Sequence, residues 1–289
     1  MSAETVIFAS RRSRLARAQA LLAERAAIEY DPSWVTGLLW LTTTGDRQTT
    51  WSLEKEGGKG LFTKEIEDAV LSGEADLAVH SAKDLPTEMP EGLGLAAFLP
   101  REDPRDILIL REGVTEPNRI ATSSPRRRAQ LQRLFPKAEF SEIRGNVETR
   151  LQKIKEGEAE ATVLASAGLH RLGIRPPEGL VFRRLEVSEM IPAVGQAAIA
   201  LQTRVEDLEK FSVLGCEKTK KAVVCERAFL RALGGGCHTA FAGYYDGTIF
   251  HAFHEAHERR EIQVPTLEEA DLQDFFAEEF VDWIDQSDS

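Results

Sequence analysis

The sequence predicts an α/β protein: two successive α/β units followed by a smaller α+β domain. Three observations carry that expectation. Short apolar runs alternate with helical periodicity over residues 6–80, the same alternation restarts after Pro100, and from about Lys218 the pattern changes to an amphipathic helix, a hairpin and a last helix. Strands alternating with helices imply a mostly parallel, helix-covered sheet.

Val6-Ile7-Phe8-Ala9 reads as a buried strand, and Ser13 opens a helix with Leu15, Ala18 and Leu22 on its apolar face. Residues 38–42 read as a second strand. A helix starts around Thr63-Lys64-Glu65, with Phe62, Ile66, Ala69 and Val70 as its stripe and Gly73 at its C-terminal cap. Residues 76–80 form a third strand, followed by the polar loop Ser81-Ala82-Lys83-Asp84. In the second unit, residues 106–110 and 161–165 read as strands. Ser123-Ser124-Pro125 is a helix start, a hydroxyl cap with proline in the first helical position. Ile191 to Gln196 leads into the apolar run 197–201. Residues 220–233 predict an amphipathic helix that ends at Gly234-Gly235-Gly236. The stretch Tyr244-Tyr245-Asp246-Gly247-Thr248-Ile249 predicts a hairpin on a two-residue Asp-Gly turn. Residues 267–284 predict an acidic helix with Leu272, Phe276, Phe280 and Trp283 inward.

With 289 residues, 42% of them apolar, the chain can bury the core of two or three domains, which excludes disorder, collagen and a disulfide-stapled miniprotein. Thirty-six Lys and Arg against 47 Asp and Glu give a net charge of −11. That is the wrong sign for binding nucleic acid or an anionic membrane through overall charge. An anionic ligand must instead meet a local positive patch. Cys216, Cys225 and Cys237 form no CxxC pair, so neither a zinc knuckle nor a redox motif is indicated. No signal-like start and no apolar run near ~18 residues is present, which makes a reducing cytoplasm the expected location.

The cations cluster at strand exits. Arg11 and Arg12 follow the first strand, and Lys83 follows the third. Lys55 precedes and Lys59 lies within the glycine-rich stretch Gly57-Gly58-Lys59-Gly60, which lacks the spacing of a phosphate loop and reads as a mobile lysine-bearing loop. Arg126, Arg127 and Arg128 open the helix capped by Ser124, and Arg144 and Arg150 bracket Gly145-Asn146. Ligands of parallel α/β sheets bind at the carboxyl ends of strands, and arginine forks match carboxylates two bonds at a time. The pattern suits a small molecule bearing several carboxylates or phosphates; the alternative for each arginine alone is a solvated helix face. Asp84 is the acid set among these cations, able to stabilise a developing cation or move protons, or simply to cap its loop. Cys237 follows three glycines, as an accessible thiol or as a half-buried turn residue. Cys216 and Cys225 read as small packing residues. His251, His254 and His257 alternate faces on a hairpin strand and read as surface residues, with no metal expected.

These stretches resemble the porphobilinogen deaminase (hydroxymethylbilane synthase) family. The matches run in order: ASRRSRLARAQ at 9–19, TTGD at 43–46, GGKGLFTKE at 57–65, DLAVHSAKDLP at 76–86, REDPRD at 101–106, ATSSPRRRAQL at 121–131, IRGNVETRL at 143–151, ASAGLHRLG at 165–173, PAVGQAA at 192–198 and GGGCHTA at 234–240. The resemblance implies a transferase of tetrapyrrole and heme biosynthesis. It adds four porphobilinogen molecules head to tail, with loss of ammonia, to a dipyrromethane cofactor and releases hydroxymethylbilane by hydrolysis. It also implies two periplasmic-binding-protein-like lobes around a cleft, residues 1–99 with 196–215 and residues 100–195, and a third domain at 216–289 that carries the cofactor cysteine. Cys237 would hold dipyrromethane through a thioether. Ser81, Lys83, Asp84, Thr122, Ser124, Arg126, Arg127, Arg144, Arg150 and Gly168 would bind the cofactor. Arg11, Ser13, Gln19, Phe62, Arg144, Arg150 and Gln196 would take the incoming substrate, with Phe62 as a lid. Asp84 would contact pyrrole N–H groups, assist departure of the amine and stabilise the resulting azafulvene cation. The enzyme would be a cytoplasmic monomer whose partner is porphobilinogen, with no nucleic acid and no membrane.

The chain departs from the family pattern at Gly234, where an acidic residue is common, at Ala197, where glycine follows Gly-Gln, and at Arg17, where an apolar residue is common. A non-enzymatic binding protein on the same two-lobed scaffold would also use the arginines, but it gives no role to Cys237 or to the Lys83-Asp84 pair. A nucleic-acid binder, prompted by Arg126-Arg127-Arg128, is opposed by overall acidity and by the lack of an aromatic stacking platform.

Overall fold

The computed structural model describes residues 4–44, 63–234, 240–257, 259–266 and 268–284. In chain order, β1 (Thr5–Arg11), α1 (Arg14–Tyr30) and β2 (Val35–Leu41) are followed by α2 (Lys64–Leu71), β3 (Leu77–Ser81) and β4 (Leu93–Phe98). Next come β5 (Asp106–Arg111), β6 (Arg119–Ala121), α3 (Pro125–Leu134), β7 (Glu139–Ser141), α4 (Val147–Glu156), β8 (Ala161–Ala165), α5 (Ser166–Arg171) and β9 (Leu180–Arg184). The chain continues through β10 (Ile199–Arg204), α6 (Leu208–Ser212) and α7 (Glu217–Ala232). It closes with β11 (Phe241–Tyr245), β12 (Ile249–His254), β13 (Arg260–Gln263), α8 (Leu272–Glu279) and α9 (Val281–Ile284). Two compact units result, Met1–Glu102 with Ala197–Val224, and Asp103–Gln196 with Cys225–Ser289.

In the first unit the strand order is β2-β1-β3-β10-β4. β1 pairs parallel with β2 and β3, while β10 runs antiparallel to both β3 and β4. Four strands therefore share a direction and β10 opposes them. The period-2 alternation of a strand sends Val6 and Phe8 to one face and Ala9 to the other. Val6, Phe8, Leu77 and Leu201 pack under Ala20, Ala23 and Ala27 of α1, whereas Ala9 and Ala78 meet Ile66 and Val70 of α2. Each fully buried Phe or Ile contributes roughly 1.5–3 kcal/mol of apolar burial.

The structure corrects the expected face of α1. Leu22 is exposed, and the buried stripe is Ala16, Gln19, Ala20, Ala23 and Ala27, because small side chains let the helix lie close on the sheet. The second strand begins at Val35, three residues before its expected start. For α2, Ile66, Ala69 and Val70 are buried and Gly73 takes φ +78°, as the sequence indicates. Phe62, Lys55 and Lys59 lie outside the described residues.

In the second unit the order is β7-β6-β8-β5-β9, with β6 parallel to β7 and β8 and β5 antiparallel to β8 and β9. Again one strand, β5, opposes four. Leu131 of α3 and Phe135 just past its end cover Leu108, Ile120 and Val163, while Leu151 and Ile154 of α4 cover Ile107, Ile109 and Leu164. The three-stranded sheet β11-β12-β13 lies in the same unit. Phe229 of α7 meets Phe250, Phe276 and Phe280 at ring distances of 4.9, 5.6 and 5.0 Å. A Cβ at Gly243 would fall 2.8 Å from Phe229 and 2.9 Å from Phe250, so this strand position accepts only glycine at that distance.

Three expectations for this region need correction. The long helix over 267–284 is two helices, α8 and α9, broken at Phe280, although Leu272, Phe276, Phe280 and Trp283 are all buried. The hairpin turn is Gly247-Thr248, with Gly247 at φ +109° and the Asp246 carboxylate accepting from the amides of Thr248 and Ile249, both at 2.8 Å. His254 and His257 are half-buried beside Trp283, with ring distances of 5.6 and 5.5 Å, instead of standing at the surface.

Candidate active site

In each unit, parallel strands deliver the predicted residues to one sheet edge, where their carboxyl ends lie. The first unit brings β1 and β3 there side by side, so Arg11, Ser13 and the 81–84 turn share that edge. Ser13 caps α1, its hydroxyl accepting from the Ala16 amide at 3.3 Å. Gln19 is buried on α1 and its Nε2 donates to Ser81 Oγ at 2.7 Å, fixing the end of β3.

After Ser81 the chain makes a short 3-10 turn, Ala82–Asp84. Ala82 and Leu85 are the buried ends of this turn, packed with Phe98, Ala198, Ala200 and Val223. The Ala82 amide donates to the Ala198 carbonyl at 3.0 Å. Two apolar anchors thus hold a two-residue protrusion, and Lys83 and Asp84 both stand exposed on it. Asp84 makes no hydrogen bond or ion pair among the described residues, so its carboxylate is available.

Behind the turn lies a polar network that the sequence reading did not single out. His80 is buried, with Nε2 3.0 Å from Gln202 Oε1. Gln202 Nε2 donates to Glu67 Oε1 at 3.2 Å, and Thr63 Oγ1 donates to Glu67 Oε2 at 3.1 Å. Burial pushes His80 down to about 4, with the Arg11 charge adding to the same direction, so the ring is neutral at pH 7. His80 sits inside the HSAKD stretch, and its alternation with Val79 and Ser81 was the available signal.

In the second unit, β7, β6 and β8 are parallel neighbours, and their exits supply residues 122–127, 142–150 and 166–168 to one edge. Ser124 caps α3, accepting from the Arg127 amide at 3.3 Å, and its own amide donates to Thr122 Oγ1 at 3.2 Å. Arg126 and Arg127 turn inward. Arg126 donates to Asp106 Oδ2 at 2.8 Å and to the Ile191 carbonyl at 2.6 Å; Arg127 donates to Asp106 Oδ1 at 2.7 Å and to the Val163 carbonyl at 3.0 Å. Asp106 begins β5, which runs against β8 and so starts at this same edge, opposite Ala165. One buried carboxylate thus holds two buried guanidinium groups. Sequence reasoning missed Asp106, because only the antiparallel placement of β5 brings it to this edge.

Arg150 and Arg144 complete the set. Arg150 Nε donates to the Gly145 carbonyl at 2.8 Å, and Arg144 lies 3.4 Å from Glu142. Burial, together with the charges of Arg127 and Arg144, pushes Arg150 down to about 10. Asn146 caps α4 through Thr149, whose amide and hydroxyl both donate to Asn146 Oδ1 at 2.8 Å. Gly168 lies in α5, just past the exit of β8. Gln196 is buried and its Nε2 donates to the Pro104 carbonyl at 2.6 Å. Cys237 lies outside the described residues. The cationic set fits a group with several carboxylates: three guanidinium groups act on one another here, and Arg127 Nε is buried with no hydrogen-bond partner among the described residues.

The family described as "Porphobilinogen deaminase, dipyromethane cofactor binding domain" matches residues 6–211. Porphobilinogen deaminases of Bacillus velezensis and Bacillus subtilis are 43% and 44% identical over 248 residues, covering 83% of this chain and 79% and 78% of theirs. The enzyme of Nitrobacter winogradskyi is 44% identical over 245 residues, 81% of this chain and 72% of its own. Among solved structures, the periplasmic VFT2 domain of Bordetella pertussis BvgS aligns with TM-score 0.43 and 17% identity over 73% of this chain and 85% of that one. The match spans both sheet edges just described, from β1 through β10, and on that extent the chain belongs to the porphobilinogen deaminase family.

Proposed function

We propose that Asp84 manages the protons and the transient cation of porphobilinogen polymerisation, while the arginines hold carboxylates. The family's reaction joins four porphobilinogen molecules head to tail on a covalent dipyrromethane primer, with loss of ammonia, and releases hydroxymethylbilane by hydrolysis; the chain is thus a transferase of porphyrin biosynthesis. One observation carries the assignment of roles: Asp84 is an exposed carboxylate, unpaired among the described residues, on a turn pinned by Ala82 and Leu85.

Dipyrromethane, when bound, supplies acidic side chains for anchorage and the pyrrole carbon that is extended. In this reading Arg150, Arg144 and Lys83 contribute charge to those carboxylates, and Thr122, Ser124 and Ser81 contribute hydrogen bonds. Arg126 and Arg127 share one buried counter-charge, which leaves a net positive charge at the edge and frees Arg127 Nε for a ligand. Gly168 offers backbone at the β8 exit. Arg11, Ser13, Gln19, Phe62 and Gln196 are assigned to the incoming substrate, Gln19 acting through Ser81. The Asp84 carboxylate accepts a pyrrole N–H hydrogen bond, stabilises the cation left as the substrate's amine departs, and takes up the proton lost when the new ring pair forms. Cys237 is the proposed thioether attachment point, and Lys55 and Lys59 are proposed as further cations. The division into residues 1–99 with 196–215, 100–195 and 216–289 is retained as a proposal, as are a monomeric state, a cytoplasmic location and the absence of nucleic acid or membrane as a partner.

Two measurements test this. Intact-protein mass spectrometry should find the chain heavier than its sequence by two linked pyrrole units, and Cys237→Ser should lose the increment. Asp84→Ala should lower kcat by about 10²–10⁴-fold with the melting temperature unchanged, the range expected of positioned proton transfer. Retention of more than about a tenth of kcat would overturn the role of Asp84.

A further inference from the structure

The second unit holds a cavity of about 360 Å³ whose lining includes Arg133, Leu134, Ser188, Glu189, Phe253 and Arg259. That volume lies within the range of small-molecule sites, about 300–1,000 Å³. Neither arginine forms an ion pair among the described residues. Arg133 spends one Nη on the carbonyls of His257 and Glu255, at 3.1 and 3.5 Å, and its guanidinium lies 5.0 Å from the centre of the Phe253 ring. Arg259 makes no hydrogen bond at all among the described residues. The acid in the wall is committed elsewhere: Glu189 pairs with Arg183 at 3.2 Å and accepts from the Glu186 amide at 2.9 Å.

Burial and the adjacent Arg133 charge both push Arg259 below the usual guanidinium range, against the opposing pull of Glu261 and Glu189. Two like charges drawn into one half-enclosed space, without a carboxylate bonded to either, favour an anion there. The rest of the lining defines its shape. Leu134 presents an apolar wall, the fully buried Phe253 ring backs the Arg133 guanidinium, and Ser188 adds a hydroxyl with no partner among the described residues.

We propose that this cavity is a second anion site, separate from the residues assigned to porphobilinogen, which binds a small aromatic carboxylate or phosphate. The anionic group bridges Arg133 and Arg259 in the manner of guanidinium forks, and the flat apolar body lies along Leu134. The assignment does not depend on the roles given to Asp84 or Cys237.

Isothermal titration of the cofactor-loaded protein with phthalate and with phenyl phosphate tests it, with inorganic phosphate as the probe lacking an apolar body. Both aromatic anions should bind saturably, and more tightly than inorganic phosphate. Binding should weaken by about tenfold or more in Arg259→Ala and in Arg133→Gln, and persist in Arg11→Ala, which alters the assigned substrate residues. Arg259 is half-exposed and unbonded, so Arg259→Ala should keep the wild-type melting temperature, which separates loss of a ligand from loss of the fold. Titrations weakened by Arg11→Ala but not by Arg259→Ala, or no saturable binding by either aromatic probe, would overturn the proposal.

Discussion

His80 is a residue whose protonation the fold opposes. Its ordinary value of 6.5 drops to about 4 because the ring is fully enclosed and the Arg11 charge adds to the same direction, against the opposing hydrogen bond to Gln202. Between pH 4 and 6.5 the folded chain therefore binds fewer protons than the unfolded one, and stability rises with pH across that window. Acidification through it should cost about 3 kcal/mol from this site, at 1.36 kcal/mol per unit. Urea unfolding at a series of pH values should show a shallower slope in this window for His80→Gln, which keeps a hydrogen-bonding group but cannot titrate; equal slopes would remove His80 as the cause. Ala197 is a different kind of strained residue. It takes φ +71°, the one non-glycine residue with positive φ among those described. A left-handed alanine costs about 1–2 kcal/mol, and glycine's extra freedom in the unfolded chain offsets about 0.5–1 kcal/mol of that. Ala197→Gly should therefore stabilise the fold, raising the melting temperature by about 2 °C in scanning calorimetry.

At the scale of elements, the β7–α4 connection is the part most sensitive to a single atom. Gly145 has φ +113°, and a Cβ there would fall 2.6 Å from Thr149 Cγ2. Its carbonyl holds Arg150 Nε, and Thr149 belongs to the Asn146 cap, so a shift in this loop moves the arginine and the start of α4 together. Gly145→Ala should raise KM for porphobilinogen by about tenfold or more while kcat falls less, because it misplaces a binding charge and leaves Asp84 untouched. The Ser124 cap, Pro125 and the cations at strand exits could be read in the sequence because they are local signals, whereas the Asn146 cap and α4 were not read. The strands β6 and β7 were not read, being three residues each and too short to show alternation. Nor were the long-range partners legible. Asp106 meets Arg126 across 20 residues and His80 meets Gln202 across 122, distances that only sheet topology closes. The buried face of α1 was misread for a related reason: large leucines suggested a stripe, but the close approach of helix to sheet selected alanines.

At the scale of the whole molecule, two electrostatic effects oppose each other. The chain carries a net charge of −11, which repels a substrate bearing carboxylates, while Arg11, Lys83, Arg144 and Arg150 stand at sheet edges where that substrate is proposed to bind. Salt discriminates between them, because the screening length falls from about 10 Å at 0.1 M to about 3 Å at 1 M. The net charge is spread over the surface, so much of its repulsion is already screened at moderate salt. The arginines act over the last few ångströms and govern capture once the substrate is near. Raising potassium chloride from about 0.05 to about 0.5 M should therefore lower kcat/KM for porphobilinogen by roughly three- to tenfold, with kcat nearly constant since Asp84 acts on substrate already bound. Arg144→Gln should flatten that dependence by removing one of these cations. A kcat/KM that rises with salt would mean that the repulsive net charge governs capture, and the carboxylate-holding role of the arginines would have to be given up.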